Sequence, residues 1–165
     1  MRRREGAAQG EAEMIEMLKK IILFQNLSSP ELEKIEKISR MEAFAKGAVI
    51  FKEGDSGDCC YVITNGEVRI SKFIPNIGEE ALAVMKPGDY FGEMALIDKF
   101  PRSAHAIANT DVAALVINKT DLDKILISDH ELGYKLLWTF TKTLSKRLRE
   151  TNEKIATFLA MSGGF

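Results

Sequence analysis

The amino-acid sequence predicts an α+β fold, mainly β: an antiparallel β-roll or jelly roll between N-terminal helices and one long C-terminal helix. Two observations predict the roll. Apolar and polar residues alternate over short runs between positions 49 and 118, and turn signals rich in Gly, Asn, Asp and Pro separate these runs. A third observation predicts the helices, because apolar residues recur every three or four positions before and after this region.

The composition is that of a soluble globular protein. The chain has 165 residues, of which 45% are hydrophobic and 28% charged, a length that suits one domain with a proper core. Its 23 Lys and Arg and 24 Asp and Glu residues give a net charge of -1, which leaves no overall basic footprint for nucleic acid. No run reaches the roughly 18 apolar residues of a membrane span, and the segment behind the Arg-rich start is too polar for a signal peptide. We therefore expect a cytoplasmic protein without membrane contact.

Two helices are expected at the N-terminus, behind a mobile segment at residues 1–10 that is charged and rich in Gly and Ala. Apolar residues recur at helical spacing over residues 11–24, which predicts an amphipathic helix. Ser29 and Pro30 then supply an N-cap and a first helical residue for a second helix. We expect residues 11–165 to form one domain.

The middle of the chain carries six predicted strands. Asn65 and Gly66 stand between two alternating runs and predict a hairpin, since both residue types tolerate positive φ. Further turns are predicted around Gly54 and Gly88. The predicted strands cover residues 49–51, 59–64, 67–73, a run that includes 82–84, then 103–108 and 111–118.

The helical period returns after Asn118. Thr120 and Asp123 have the spacing of a capping box for a short helix that ends at Ser128. A long helix is then predicted over residues 129–158, with an apolar stripe at spacings of three and four residues. The stripe consists of Leu137, Phe140, Leu144, Leu148, Thr151, Ile155 and Phe158.

The most informative segment covers residues 91–104. Gly92 lacks a Cβ, so a ligand can approach its backbone closely, and a short helix that begins near Glu93 offers free amides that suit a phosphate. Arg102 adds a planar cationic fork that matches phosphate oxygens, and Ser103 adds a hydroxyl donor. Glu93 would repel a phosphate but can accept a hydrogen bond from a ribose hydroxyl. Together these groups indicate a nucleotide.

The pattern F-G-E-x-A-L, followed a few residues later by P-R-x-A, resembles the phosphate-binding cassette of the cyclic-nucleotide-binding domain family. The resemblance covers residues 18–158 and is greatest to the sensor domain of the bacterial catabolite activator. It implies a sensor that catalyses no reaction and whose expected ligand is cAMP, with cGMP as the alternative. By this resemblance Arg102 pairs with the cyclic phosphate and Glu93 with the ribose 2′-hydroxyl. The other residues that it places at the ligand are Ile70, Leu82, Ala83, Gly92, Met94, Ala95, Ser103, Arg147, Thr151 and Asn152.

The long C-terminal helix carries the last three of these residues. The resemblance implies that Thr151 and Asn152 lie at the purine edge, one of them reaching across from a partner chain. It also implies that Arg147 approaches the phosphate. We therefore expect a homodimer through this helix, a helix that closes over the ligand, and a downstream protein that receives the signal.

Other interpretations stay open at this point. Without the surrounding motif, Glu93 and Arg102 would be a simple ion pair that caps a turn. The chain also fits a sensor fragment of a cAMP-responsive transcription regulator, or a degenerate dimerisation module that binds no ligand. Too few residues follow Phe158 for a DNA-reading module, so DNA binding is not expected.

No metal, further cofactor or catalytic centre is expected. His105 and His130 are isolated and lack metal-ligand spacing, and no nucleophile stands in a pattern with a base. Cys59 and Cys60 are adjacent, so they point to opposite faces of a strand and are predicted to stay reduced.

Overall fold

The computed structural model describes residues 14–161 of the chain, and two antiparallel four-stranded sheets form its centre. The expected mobile segment and the start of the first predicted helix lie outside these residues. The strands are β1 (Ser39–Phe44), β2 (Val49–Phe51), β3 (Cys59–Asn65), β4 (Val68–Ile74), β5 (Gly78–Met85), β6 (Tyr90–Phe91), β7 (His105–Ala108) and β8 (Val112–Asn118). The order is β1-β8-β3-β6 in the first sheet and β2-β7-β4-β5 in the second.

Helical segments flank this β-roll at both ends, which confirms the predicted fold class. No helix within residues 14–161 has the length and hydropathy to cross a membrane. The flanking segments are α1 (residues 14–19), a 3-10 turn (Ile22–Phe24), α2 (Ser29–Ile38), α4 (Lys119–Ser128) and α5 (His130–Met161). The short helix α3 (Met94–Ile97) lies within the roll, between β6 and β7.

The core has two parts that share the first sheet. One lies between the sheets and contains Tyr61, Val68 and Phe91. The other lies between the outer face of the first sheet and the helices, where Phe140 of α5 packs edge-on against Tyr90, with ring centroids 5.7 Å apart. Because β3 is covered on both faces, its residues are buried in an almost continuous run. Cys59 and Cys60 are free and belong to different core parts, as their alternation along the strand predicts.

The predicted hairpin at Asn65 and Gly66 is wrong in its pairing, although both strands exist. β3 pairs with β8 and β6, whereas β4 pairs with β5 and β7, so this turn carries the chain from one sheet to the other. Gly66 has a φ of +84°, and a Cβ there would lie 2.2 Å from the carbonyl oxygen of Asp111. The glycine is therefore required by a tight crossing beside β8 rather than by a hairpin.

Both predicted helix caps need correction. Ser28 rather than Ser29 precedes α2, and its backbone N–H and hydroxyl both donate to Glu31 Oε2 at 2.7 Å. α4 begins one residue before Thr120, at Lys119, and its N-cap has no side-chain hydrogen bond. Asp123 instead pairs with Lys119 at 3.6 Å.

Two strand features were missed by the sequence analysis. β1 lacks a clear alternation and was not predicted. Ser71 lies within the alternating run predicted over residues 67–73 and is fully buried, and its hydroxyl donates to Glu79 at 2.6 Å. The register between β4 and β5 shifts between Ile70 and Ser71, which interrupts the alternation that the prediction used.

Candidate functional site

A cavity of about 580 Å³ opens between the second sheet, the segment around α3 and the C-terminal half of α5. Its walls contain every site residue predicted from the sequence except Asn152. The predicted residues that line it are Ile70, Leu82, Ala83, Gly92, Glu93, Met94, Ala95, Arg102, Ser103, Arg147 and Thr151.

Arg102 lies at the base of this cavity and is only 7% exposed. Its Nη1 donates to the carbonyl of Gly92 at 2.9 Å, and its Nη2 donates to the carbonyl of Cys59 at 2.8 Å. The guanidinium carbon also sits 4.2 Å from the centre of the Phe51 ring, a favourable position for a cation. These contacts hold the guanidinium plane in place. They occupy part of its five N–H donors and leave the others for an anion.

Two glycines make room for this guanidinium group. Gly92 has a φ of +73°, and a Cβ there would lie 2.6 Å from Nη1 of Arg102. Gly57, in the loop between β2 and β3, is also close: a Cβ there would lie 2.8 Å from Nε of Arg102 and 2.6 Å from Cβ of Ala95. Gly57 was not among the site residues predicted from the sequence. The signal was available, because Gly57 stands three residues after Gly54 in one short loop.

Glu93 immediately precedes α3 and is 3% exposed. Its Oε1 forms an ion pair with Nη1 of Arg147, while Nη2 of Arg147 donates to the carbonyl of Tyr90 at 2.9 Å. The interpretation of Glu93 and Arg102 as an ion pair with each other is therefore wrong. The cation that satisfies Glu93 comes from α5, and Arg102 bonds to backbone carbonyls instead.

One face of α5 forms the polar wall of the cavity. The residues on this face recur at steps of three and one, which places them in a single stripe along the helix. At the far end of the stripe, Lys154 Nζ donates to the carbonyl of Leu82 on β5 at 3.4 Å. Four members of the stripe were not among the predicted site residues, because the pattern predicted for this helix followed only apolar spacing. The stripe, hereafter the polar stripe, consists of Thr143, Lys146, Arg147, Glu150, Thr151 and Lys154.

Asn152 does not belong to the polar stripe. It is exposed and does not line the cavity of its own chain, so its predicted contact with a ligand in that cavity is not supported by its position. Thr151 does line the cavity, but its hydroxyl donates to the carbonyl of Arg147 at 2.8 Å. The hydroxyl proton is thus engaged with the helix backbone, and the oxygen keeps its capacity to accept.

The opposite wall is apolar and comes from the second sheet. Ile70 of β4 and Ala83 of β5 are cross-strand partners, with Leu82 and Met85 beside them. Leu82 is 45% exposed. An exposed apolar surface at the mouth of a cavity suits the face of a flat ring.

Two of the cavity's acidic side chains are engaged in local turns. The Asp89 carboxylate accepts from the Lys86 N–H at 2.8 Å, and that of Asp98 accepts from the Phe100 N–H at 3.0 Å. Below Arg102, burial raises the pKa of the Cys59 thiol, so a neutral thiol faces the guanidinium at 3.6 Å. Within residues 14–161, no group of three or more His, Cys, Asp or Glu side chains is arranged to hold a metal ion.

Residues 41–129 match the sequence profile of the cyclic nucleotide-binding domain. The chain is 31% identical over 146 residues to the CRP-like cAMP-activated global transcriptional regulator of Mycobacterium tuberculosis. That alignment covers 88% of this chain and 63% of the regulator, so the chain spans less than two thirds of that relative. cGMP-dependent protein kinases also match, among them isozyme 1 of Drosophila melanogaster, at 37% identity over 70% of this chain and 15% of the kinase.

Two solved structures show the same fold. A cyclic nucleotide-binding domain from Methylobacillus flagellatus superposes with a TM-score of 0.79 at 32% identity, covering 92% of this chain and 85% of that one. The catabolite activator protein of Thermus thermophilus superposes with a TM-score of 0.74 at 28% identity, covering 83% of this chain and 62% of that one. The resemblance noted in the sequence is thus confirmed at the level of family and fold.

Proposed function

The chain belongs to the cyclic nucleotide-binding domain family, and from this premise we propose that it binds cAMP in the cavity as a regulatory domain. In this role the chain catalyses no reaction. The observation that carries the proposal is that two buried side chains of opposite charge, Arg102 and Glu93, lie in the wall of one open cavity, with Arg102 held by the carbonyl of Gly92. A phosphate accepts hydrogen bonds, and Arg102 supplies donors for it. A ribose hydroxyl donates a hydrogen bond, and Glu93 supplies an acceptor for it.

The phosphate subsite is formed by Arg102, Ser103 and the segment around α3. Arg102 keeps N–H groups free beyond its bonds to Gly92 and Cys59, and Ser103 is exposed with its hydroxyl 3.9 Å from the sulfur of Met94. A weak sulfur contact of this length is easily replaced by a phosphate oxygen. The phosphate therefore meets a charged fork that is already oriented, which lowers the ordering cost of binding.

The ribose subsite is formed by Glu93. Arg147 contacts Oε1 of this carboxylate, which leaves Oε2 for the 2′-hydroxyl. Because Glu93 is 3% exposed, a sugar hydroxyl that donates to it replaces little water. The base then extends between the apolar wall of β4 and β5 and the polar stripe of α5. We propose cAMP rather than cGMP because the Mycobacterium tuberculosis regulator, which is 31% identical to this chain, is cAMP-activated.

The response to ligand is proposed to pass through α5. Two residues of the polar stripe bond to the other walls of the cavity: Arg147 in its middle bonds to Glu93, and Lys154 at its C-terminal end bonds to the Leu82 carbonyl. A ligand that contacts both the sheet and α5 binds more tightly when α5 is packed over the cavity than when α5 is displaced from it. This difference in affinity shifts the helix toward the packed arrangement. Thr151 adds to that difference as a hydrogen-bond acceptor.

We further propose a homodimer through α5. Leu148, Ile155 and Phe158 are 62%, 53% and 70% exposed and form a continuous apolar seam beside the polar stripe. Asn152 lies one turn beyond Leu148 on this outer side, so in a dimer it faces the second copy rather than its own cavity. We also propose that the protein is cytoplasmic and that residues 11–165 form a single domain. A downstream protein receives its signal.

Isothermal titration calorimetry with cAMP, cGMP and 5′-AMP tests the binding proposal. The expected result is one cAMP site per chain, weaker binding of cGMP, and no binding of the non-cyclic control. Hydrogen exchange at saturating cAMP is expected to show added protection over residues 140–158. An absence of heat and of any thermal shift at millimolar cAMP and cGMP would favour the degenerate dimerisation module instead.

A further inference from the structure

The polar stripe of α5 is anchored at two points that lie seven residues apart. Arg147 is held by Glu93 and the carbonyl of Tyr90, and Lys154 is held by the carbonyl of Leu82. Seven residues of helix correspond to roughly 10 Å. The side chains between these anchors therefore face the part of the cavity that separates the ribose subsite from β5. Glu150 and Thr151 are the stripe residues in this interval.

Both of these residues offer hydrogen-bond acceptors. The Thr151 hydroxyl proton is committed to the Arg147 carbonyl at 2.8 Å, so toward the cavity only its oxygen lone pairs are available. Glu150 has a carboxylate whose ion-pair partner is Lys146 at 3.7 Å, with the two side chains 52% and 77% exposed. An exposed pair at this distance contributes little and is easily exchanged.

The cations of the polar stripe are not alternative candidates for the residue that selects the base. Arg147 and Lys154 both donate to acceptors of the protein itself, and Lys146, the third cation, is 77% exposed and has Glu150 as its ion-pair partner. The wall across the cavity, formed by Ile70, Ala83 and Met85, is apolar and has no side-chain polar group. A base held between these walls therefore meets acceptors along α5, and a base that presents a donor at its edge is favoured.

We propose that Glu150 is a specificity-determining residue that accepts a hydrogen bond from the 6-amino group of adenine. The inference rests on the proposed function and names the group on α5 that selects the base. Adenine presents two N–H donors at this position, whereas hypoxanthine presents a carbonyl acceptor there, which a carboxylate repels. Glu150, rather than Asn152, is thus the residue of this chain that distinguishes cAMP from cyclic purine nucleotides without the amine.

Calorimetry with three probes tests this assignment: cAMP, purine riboside 3′,5′-cyclic monophosphate, which has hydrogen in place of the amine, and cIMP, which has a carbonyl. The wild-type chain is expected to bind cAMP at least about tenfold more tightly than the hydrogen analogue, the range of a hydrogen bond to a charged group. In Glu150→Ala this ratio is expected to fall to near one through loss of cAMP affinity. In Glu150→Gln the new amide donor is expected to raise cIMP affinity relative to cAMP.

Glu153→Ala and Glu153→Gln are the matched controls, because Glu153 lies on α5 outside the cavity and carries the same charge. They correct for the general gain in anion affinity when a carboxylate is removed, and they are expected to keep the wild-type ratios. The inference is overturned if Glu150→Ala keeps the preference for cAMP over the hydrogen analogue, or if Glu153→Ala loses it equally. If the wild-type chain binds none of the three probes, the proposed function itself fails.

Discussion

Arg147 of α5 and Glu93 beside α3 stand 54 residues apart in the chain and form one ion pair at the wall of the cavity. The side chain of Glu93 is 4% exposed and that of Arg147 is 36% exposed, so solvent screens the pair only from the side of Arg147. The second guanidinium nitrogen donates to the Tyr90 carbonyl. This contact joins the long C-terminal helix to the segment around α3.

Arg147→Ala is expected to destabilise the fold by about 1–3 kcal/mol, because the buried Glu93 carboxylate loses its cation and the Tyr90 carbonyl loses a donor. Urea unfolding measures this loss. Adding Glu93→Gln to Arg147→Ala is expected to recover part of it by removing the unpaired charge. Arg149→Ala serves as the control, since Arg149 is exposed on α5 and a change within about 0.5 kcal/mol is expected. Equal losses in Arg147→Ala and Arg149→Ala would contradict the importance of the pair.

Arg102→Lys is expected to reduce cAMP affinity by at least about tenfold, although the charge is retained. Lysine has no planar fork, so it cannot bond the Gly92 and Cys59 carbonyls and face a phosphate in one orientation. Arg102→Ala is expected to lose more affinity and also about 1–3 kcal/mol of stability, because two buried carbonyls lose their donor. Calorimetry and urea unfolding measure the two effects. Wild-type affinity in a folded Arg102→Ala variant would refute the assignment of Arg102 to the phosphate.

Gly57→Ala is expected to weaken cAMP binding because the new Cβ would lie 2.6 Å from Cβ of Ala95 and 2.8 Å from Nε of Arg102. The guanidinium group must then move. Gly54→Ala in the same loop is the control: Gly54 has a φ of +87° but open space around its Cβ position. It is expected to cost stability of roughly 1 kcal/mol through backbone strain and to leave affinity unchanged. The opposite ranking of the two affinities would show that Gly57 does not position Arg102.

The double variant Leu148→Glu/Ile155→Glu is expected to be monomeric where the wild-type chain is a dimer. Charges in the apolar seam oppose its burial against a second copy. Light scattering at tens of micromolar protein, with and without cAMP, measures the mass. Ile127→Glu is a suitable control, because Ile127 on α4 is 73% exposed and lies outside the seam. A wild-type chain of monomer mass in both conditions would rule out the proposed dimer.

The stability of the helical layer is expected to fall in acid through Glu31, which is 7% exposed between α2 and α5. Burial alone would raise the pKa of this carboxyl group, but hydrogen bonds from Ser28 and the contact with Lys135 at 3.0 Å outweigh it and lower the pKa. A lowered folded-state pKa contributes stability above the unfolded-state pKa of about 4.3, and this stability is lost as the pH falls through the folded value.

Urea unfolding between about pH 6 and pH 3 checks this expectation. Glu31→Gln is expected to be less stable than the wild-type chain at pH 6 and to lose less stability on acidification. Glu33→Gln, an exposed change on the same helix, is expected to follow the wild-type curve. A Glu31→Gln curve parallel to the wild-type curve would exclude this carboxyl group as the source of the acid sensitivity.

Local features of the sequence were sufficient to predict the β-roll, its flanking helices and the segment with Gly92, Glu93 and Arg102. Turn residues, the period of apolar residues and a short motif act within a few positions of one another, so they can be recognised without knowledge of the rest of the chain. The same reasoning identified Cys59 and Cys60 as strand neighbours on opposite faces, because that outcome depends only on alternation.

Tertiary structure alone decided which strands pair and which side chains meet in the cavity. The turn at Gly66 has the local chemistry of a hairpin, but β8 and β7 occupy the edges where β3 and β4 would have paired. Gly57 reaches Arg102, and Arg147 reaches Glu93, only because distant segments are packed together. On α5, neighbouring residues differ by about 100° around the helix axis. Whether Glu150, Thr151 or Asn152 faces the cavity therefore depends on the rotation at which the helix docks, and contacts with distant residues, such as that of Arg147 with Glu93, fix that rotation.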